Sequence, residues 1–124
     1  MQYFLSLGSN INAETNIIFA IEQLNKILIN TKFSSIHKTK AEGFEGDDFL
    51  NLVVAGESEL DFNQLNQKLK EIENQSGRER DVPKFSARTL DIDIILQIDE
   101  DEIIYESDEI EKYSFVSEPL KEIL

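Results

Sequence analysis

The sequence has no cysteine, which excludes disulfides, zinc–thiolate centres and thiol nucleophiles and fits a reducing cytoplasm. Proline is nearly missing, and Pro83 and Pro119 are too sparse to mark a linker. No window approaches the ~20 consecutive apolar residues of a bilayer span, so a membrane helix is not expected. The opening MQYFLSLGSN lacks the basic n-region and long apolar run of a secretory signal. Basic residues are scarce as well. Twelve lysines and arginines against 25 acids leave a formal charge of −13, which argues against long-range attraction to DNA or RNA.

What remains fits one globular domain over residues 1–124, with 40% apolar and 30% charged residues, enough for a single core. Tyr3 to Leu7 is an apolar and aromatic run that stops at the turn-forming Gly8-Ser9-Asn10, which predicts a first strand. Asn12 is placed to cap a helix over residues 13–29, where Ile17, Ile18, Ile21, Leu24, Ile27 and Leu28 recur at helical spacing. Loose alternation predicts a second strand over 32–39, followed by a loop through Gly43, Gly46 and Asp47-Asp48. Residues 49–57 form a stronger strand, with Leu50, Leu52 and Val54 on one face and Phe49 and Asn51 on the other. Asp61 caps a second helix bearing Phe62, Leu65, Leu69 and Ile72, and Gly77 ends it. Residues 78–88 lack periodicity and read as a long loop; 90–96 alternate as a strand, and an acidic stretch and a short segment over 119–124 close the chain. The order β-α-β-β-α-β is that of a ferredoxin-like α+β fold, an antiparallel sheet with two helices on one face. Such a fold fixes no activity.

Charge is unevenly distributed. Residues 99–111 hold eight acids and no base, whereas the only three arginines, Arg78, Arg80 and Arg88, fall within eleven residues. Directly after that loop, Asp91 and Asp93 stand two apart on a predicted strand, so their carboxylates share a face. Like charges so close repel unless a cation compensates them, and hard oxygen donors of this kind suit Mg²⁺ with its waters and substrate phosphates. A bare D-x-D also describes a strand with a solvated acidic face. The adjacent guanidinium groups and Lys84 supply what phosphate oxygens need, and the combination is that of a magnesium-nucleotide site. Phe49 and Asn51 offer an aromatic plane and an amide able to stack on and read a flat heterocycle, although a packed phenylalanine and an edge asparagine fit equally. His37, the only histidine, has no second ligand type beside it and reads as structural.

At these residues the chain resembles the hydroxymethyl-dihydropterin pyrophosphokinase family of folate biosynthesis. The resemblance rests on SLGSN at 6–10, FLN at 49–51, EIENQSGRERDVPKFSARTLDIDIIL at 71–96 and FVSEPLKEI at 115–123. It implies a ferredoxin-like enzyme that moves diphosphate from ATP to the hydroxymethyl group of a reduced pterin, releasing AMP, with two Mg²⁺ ions held by Asp91 and Asp93. It further implies that Arg78 and Arg88 steady the transferring group and that Arg80 and Lys84 contact nucleotide phosphates. Phe49 and Phe115 are similar to the aromatics that sandwich the pterin, and Asn51 to the amide that reads its edge. Thr39 and the backbone near Gly8 fall where similar proteins line the pterin pocket. Glu73 matches a carboxylate near the site, Ile94 an adenine-side residue, and Lys70 a nucleotide-side position where glutamine is usual.

The chain also departs from the family's pattern. Lys84-Phe85-Ser86-Ala87-Arg88 replaces Arg-Trp-Gly-Pro-Arg, Ser107-Asp108 replaces Pro-His, and Tyr113 stands near an expected arginine. Two further readings therefore stay open beside a monomeric enzyme: a pterin-binding relative without ATP-dependent activity, and an acidic domain whose 99–111 segment engages a basic partner.

Overall fold

The computed structural model describes residues 1–41, 46–78 and 87–124. Ten elements follow one another: β1 (Gln2–Ser9), α1 (Ala13–Ile27), β2 (Ile29–Phe33), β3 (His37–Thr39), β4 (Phe49–Glu57), α2 (Phe62–Gln75), β5 (Asp91–Asp99), β6 (Glu102–Glu106), α3 (Glu109–Lys112) and α4 (Ser114–Ile123). The strands form one antiparallel sheet in the order β2-β4-β1-β5-β6, with β3 continuing beside β4. Taking β2 and β3 as the halves of one interrupted strand, the expected βαββαβ plan is recovered, with β6 added at the far edge.

Alternation along the central strands gives two cores. Tyr3, Leu5 and Leu7 of β1, Leu52 and Val54 of β4, and Ile92 of β5 pack under α1 and α2. Phe4, Val53, Ala55 and Ile95 face the other way and meet Val116 and Leu120 of α4. The expected closing segment is thus a ten-residue helix covering the second face. Among the described residues no helix is long and apolar enough to cross a membrane.

Several boundaries differ from expectation, each for a local reason. β1 runs through Gly8 and Ser9 because both residues still pair with β4, so this segment is strand rather than turn. The predicted strand over 32–39 is split: Ser34 donates its N–H to Val53 O, and its Oγ accepts from Val53 N, so a side chain replaces a ladder carbonyl where the chain kinks. Asn12 occupies the N-cap position but lies in the left-handed region and makes no side-chain cap bond. By contrast, Asp61 forms the expected cap, as a capping box with Gln64. The acidic run folds as β6 and α3, turning at Glu100 and Asp101, both of which have positive φ.

Candidate functional site

The end of α2 sets the site's geometry. Gly77 has a φ of 87°, a left-handed conformation that costs glycine little. The turn is a Schellman motif: Arg78 N donates to Glu73 O (3.3 Å) and Gly77 N to Asn74 O (3.0 Å). Arg78 is thereby folded back along its own helix, and its Nη1 lies 3.0 Å from Glu73 Oε2 and 2.6 Å from Asp91 Oδ1. Burial works against the guanidinium's charge, but Asp91 and Glu73 outweigh it and raise the Arg78 pKa.

Glu73 is fully buried, and its partners explain how a carboxylate is tolerated there. Oε2 accepts the backbone N–H of Ile92 at 2.7 Å, while Oε1 lies 3.3 Å from Lys70 Nζ. Ile92 stands between Asp91 and Asp93, so this bond ties α2 to the strand that carries both carboxylates. Lys70 Nζ is also 4.0 Å from Asp93 Oδ1. Burial, followed by the negative charge of Asp91 and Glu109, raises Asp93 from 3.8 to about 8, with Lys70 opposing the shift.

Asp91 pairs with Gly8 and Asp93 with Ser6 across the β1–β5 ladder, which places the two carboxylates on one face, the face covered elsewhere by α4. Gly8 also pairs with Asn51, and Asn51 with His37, so one row crosses the sheet from His37 through Asn51 and Gly8 to Asp91. Asn51 is buried and donates its amide to Thr39 Oγ1 at 2.7 Å. A Cβ on Gly8 would sit 3.1 Å from Asn51 Oδ1 and 3.7 Å from Phe49 Cδ2, so the missing side chain lets both residues lie over β1. The sheet therefore brings Gly8, Thr39, Phe49, Asn51, Asp91 and Asp93 together. Phe115, at the start of α4, stacks on Tyr113 with centroids 4.8 Å apart and joins Thr39 in lining a cleft of about 250 Å³ between β3 and α4.

Other expected residues sit differently. Ile94 is buried under α1 and α2, on the side of the sheet opposite the carboxylates. Arg88 is held through its backbone: its N donates to Asn10 Oδ1 (2.8 Å), and its carbonyl accepts from Asn10 N (3.0 Å) and Ile11 N (3.2 Å). Arg80 and Lys84 lie outside the described residues. Sequence reasoning missed Ser9 and Asn10 as ties: Ser9 Oγ donates to Thr89 O, and Asn10 Nδ2 to Asp47 O (3.0 Å). A small polar pair directly after an apolar strand was the available signal. Among the described residues no group of three or more His, Cys, Asp or Glu is placed to hold a metal by itself. Asp91 and Asp93 fit Mg²⁺, which takes one or two carboxylates and leaves its other positions to water and phosphate.

Comparison with known proteins adds an independent line. The sequence model described as 7,8-dihydro-6-hydroxymethylpterin-pyrophosphokinase matches residues 4–124. The chain is 38% identical over 99 residues to the 2-amino-4-hydroxy-6-hydroxymethyldihydropteridine pyrophosphokinase of Aquifex aeolicus, covering 78% of this chain and 61% of that one. It is 34% identical to the protein of that name from Bacillus subtilis, over 97% of this chain and 76% of the relative. A third, from Haemophilus influenzae, is 36% identical over 75% of this chain and 60% of its own length. Two of these three matches thus span less than two thirds of the relative.

Proposed function

This chain belongs to the 7,8-dihydro-6-hydroxymethylpterin-pyrophosphokinase family, and from that membership we propose that it transfers diphosphate from ATP to 6-hydroxymethyl-7,8-dihydropterin, releasing AMP. The observation that carries this reading is the pair Asp91 and Asp93 on one sheet face, with Arg78 2.6 Å from the first of them. Attack of the pterin hydroxyl on the β-phosphorus needs in-line placement and charge stabilisation, so no protein nucleophile is required. Asp91 and Asp93 would hold Mg²⁺, as two ions, which would supply charge neutralisation for the triphosphate. Arg78 and Arg88 steady the transferring group, while Arg80, Lys84 and Lys70 serve the nucleotide. Glu73, being fully buried, acts by fixing Arg78 and β5. Ile94, given by the family resemblance as an adenine-side residue, has its side chain in the opposite core and so offers adenine no side-chain surface on the carboxylate face. Phe49 and Phe115 supply aromatic surface to the pterin, Asn51 and Thr39 its polar contacts, and Gly8 the clearance. The enzyme acts as a cytoplasmic monomer without membrane or nucleic-acid partners.

With both substrates and Mg²⁺, the folded chain is expected to form AMP, and Asp91→Ala or Asp93→Ala to abolish it without unfolding the protein. Folded protein that forms no AMP refutes the activity, and full turnover in either variant refutes the metal assignment. A pterin-binding chain without ATP use is the second reading, favoured by the pairing of Arg78 Nη1 with both Asp91 and Glu73, which ties up that nitrogen of the guanidinium. Calorimetry separates the two, because the second reading predicts pterin binding but no uptake of an ATP analogue with Mg²⁺.

A further inference from the structure

Away from the carboxylates, Glu122 in the last turn of α4 makes a set of bonds that the proposed chemistry does not use. Its Oε1 accepts Ser35 N at 2.8 Å, both of its oxygens accept Ser35 Oγ at 2.9 Å, and His37 Nε2 is bonded to Oε2. A carboxylate there is otherwise misplaced, because it meets the negative end of the helix dipole in a chain already at −13. Something other than helix stability accounts for it.

These bonds span the two walls of one cleft. Ser35 lies at the kink between β2 and β3, and His37 opens β3, the three-residue edge strand that ends at Thr39. Glu122 belongs to α4, the helix that begins with Ser114 and Phe115. Ser35, His37 and Thr39 on one side and Ser114, Phe115 and Glu118 on the other line the cleft of about 250 Å³. β3 has β4 on one side and no strand on the other among the described residues, so its ladder alone holds it weakly. The Thr39 hydroxyl in turn holds the Asn51 amide.

We infer that Glu122 is a positioning residue for the pterin half of the site: it straps α4 to the start of β3 and so sets the spacing between Phe115 and Thr39. This rests on the function proposed above. The hydrogen bonds of Glu122 among the described residues go to Ser35 and His37, neither of which is assigned to a substrate. Calorimetry on the full chain tests the strap, with reduced pterin and a non-hydrolysable ATP analogue plus Mg²⁺ titrated separately into wild type, Glu122→Ala and Glu122→Gln. The alanine variant is expected to weaken pterin binding by about tenfold, with analogue affinity changed less than about twofold. Glutamine, whose amide oxygen still accepts from Ser35, is expected to recover part of the loss. Unchanged pterin affinity in a folded alanine variant overturns the strap, as does an equal loss for both ligands in the glutamine variant. If alanine fails to fold, the glutamine variant decides alone: selective pterin loss supports the strap, and none overturns it. Wild type that binds no pterin overturns the functional reading, and the strap with it.

Discussion

Asp93→Asn is expected to stabilise the metal-free protein at pH 8 while abolishing its activity. Asp93 is raised from 3.8 to about 8 by burial and by the charges of Asp91, Glu109 and Glu73. Between those values the folded chain holds a proton that the unfolded chain has released, so this contribution is fully present below pH 3.8 and is lost as the pH rises through about 8. Unscreened, the change in proton affinity would correspond to ~6 kcal/mol at ~1.4 kcal/mol for each factor of ten. Solvent reaches 38% of the side chain, and screening reduces the effect to about 1–2 kcal/mol. Asparagine mimics the protonated acid at every pH, so the variant should gain that amount over wild type at pH 8 and much less at pH 4. Urea denaturation at both pH values measures the difference, which corresponds to a Tm increase of about 4–8 °C at this chain length. Mg²⁺ should then stabilise wild type more than the variant if, as proposed, it binds the native carboxylate pair. If the variant equals or falls below wild type at pH 8 without metal, the claim of uncompensated charge at this site is wrong.

Three further outcomes follow from the same contacts. Glu73→Ala leaves Arg78, Lys70 and the Ile92 N–H without their shared acceptor and is expected to cost about 3–5 kcal/mol by urea denaturation; a loss below about 1 kcal/mol would show that Glu73 does not anchor the strand. Gly8→Ala pushes a methyl to 3.1 Å from Asn51 Oδ1, so pterin binding should weaken by about tenfold for a stability loss of about 1–3 kcal/mol, as overpacking typically costs. Calorimetry checks it, and an unchanged affinity contradicts the placement of Asn51. Glu122 is lowered from 4.5 to about 2 by the Ser35 N–H, His37 and the Ser35 hydroxyl. The stabilisation it contributes is therefore present above pH 4.5 and lost as the pH falls through about 2; carboxyl NMR that finds its midpoint near 4.5 denies the strap its bonds.

The candidate site residues stood out in the sequence because that combination has few other uses. Two aspartates at strand spacing beside every arginine in the chain have a short list of explanations, and the structure keeps them together on one face. The two helices and three central strands were legible for the same reason: their apolar spacing matches one period and not the other. α4 was missed although Val116, Pro119, Leu120 and Ile123 follow helical spacing, because Pro119 argues against a helix interior. The β5–β6 hairpin was missed because its turn uses Glu100 and Asp101 at positive φ, where glycine or asparagine is the usual sign.

The ties that hold the chemistry in place left no comparable trace, and the reason is distance along the chain. Glu73 reaches Ile92 across 19 positions and Glu122 reaches Ser35 across 87, beyond any local pattern. Each of these glutamates sits in a helix with ordinary surface-type composition; the family resemblance put Glu73 near the site, but nothing local signals its burial, and Glu122 reads as a solvent-facing residue. The fold uses them in different ways. Glu73 is fully buried and is satisfied on both oxygens by Lys70, Arg78 and the Ile92 N–H, which ties α2 to the strand carrying Asp91 and Asp93. Glu122 is about one-third exposed and binds an edge strand, so it can be lost without exposing a buried charge. On this basis, removing Glu73 is expected to damage the fold together with the proposed phosphate half of the site, whereas removing Glu122 is expected to act on the proposed pterin half with the fold intact.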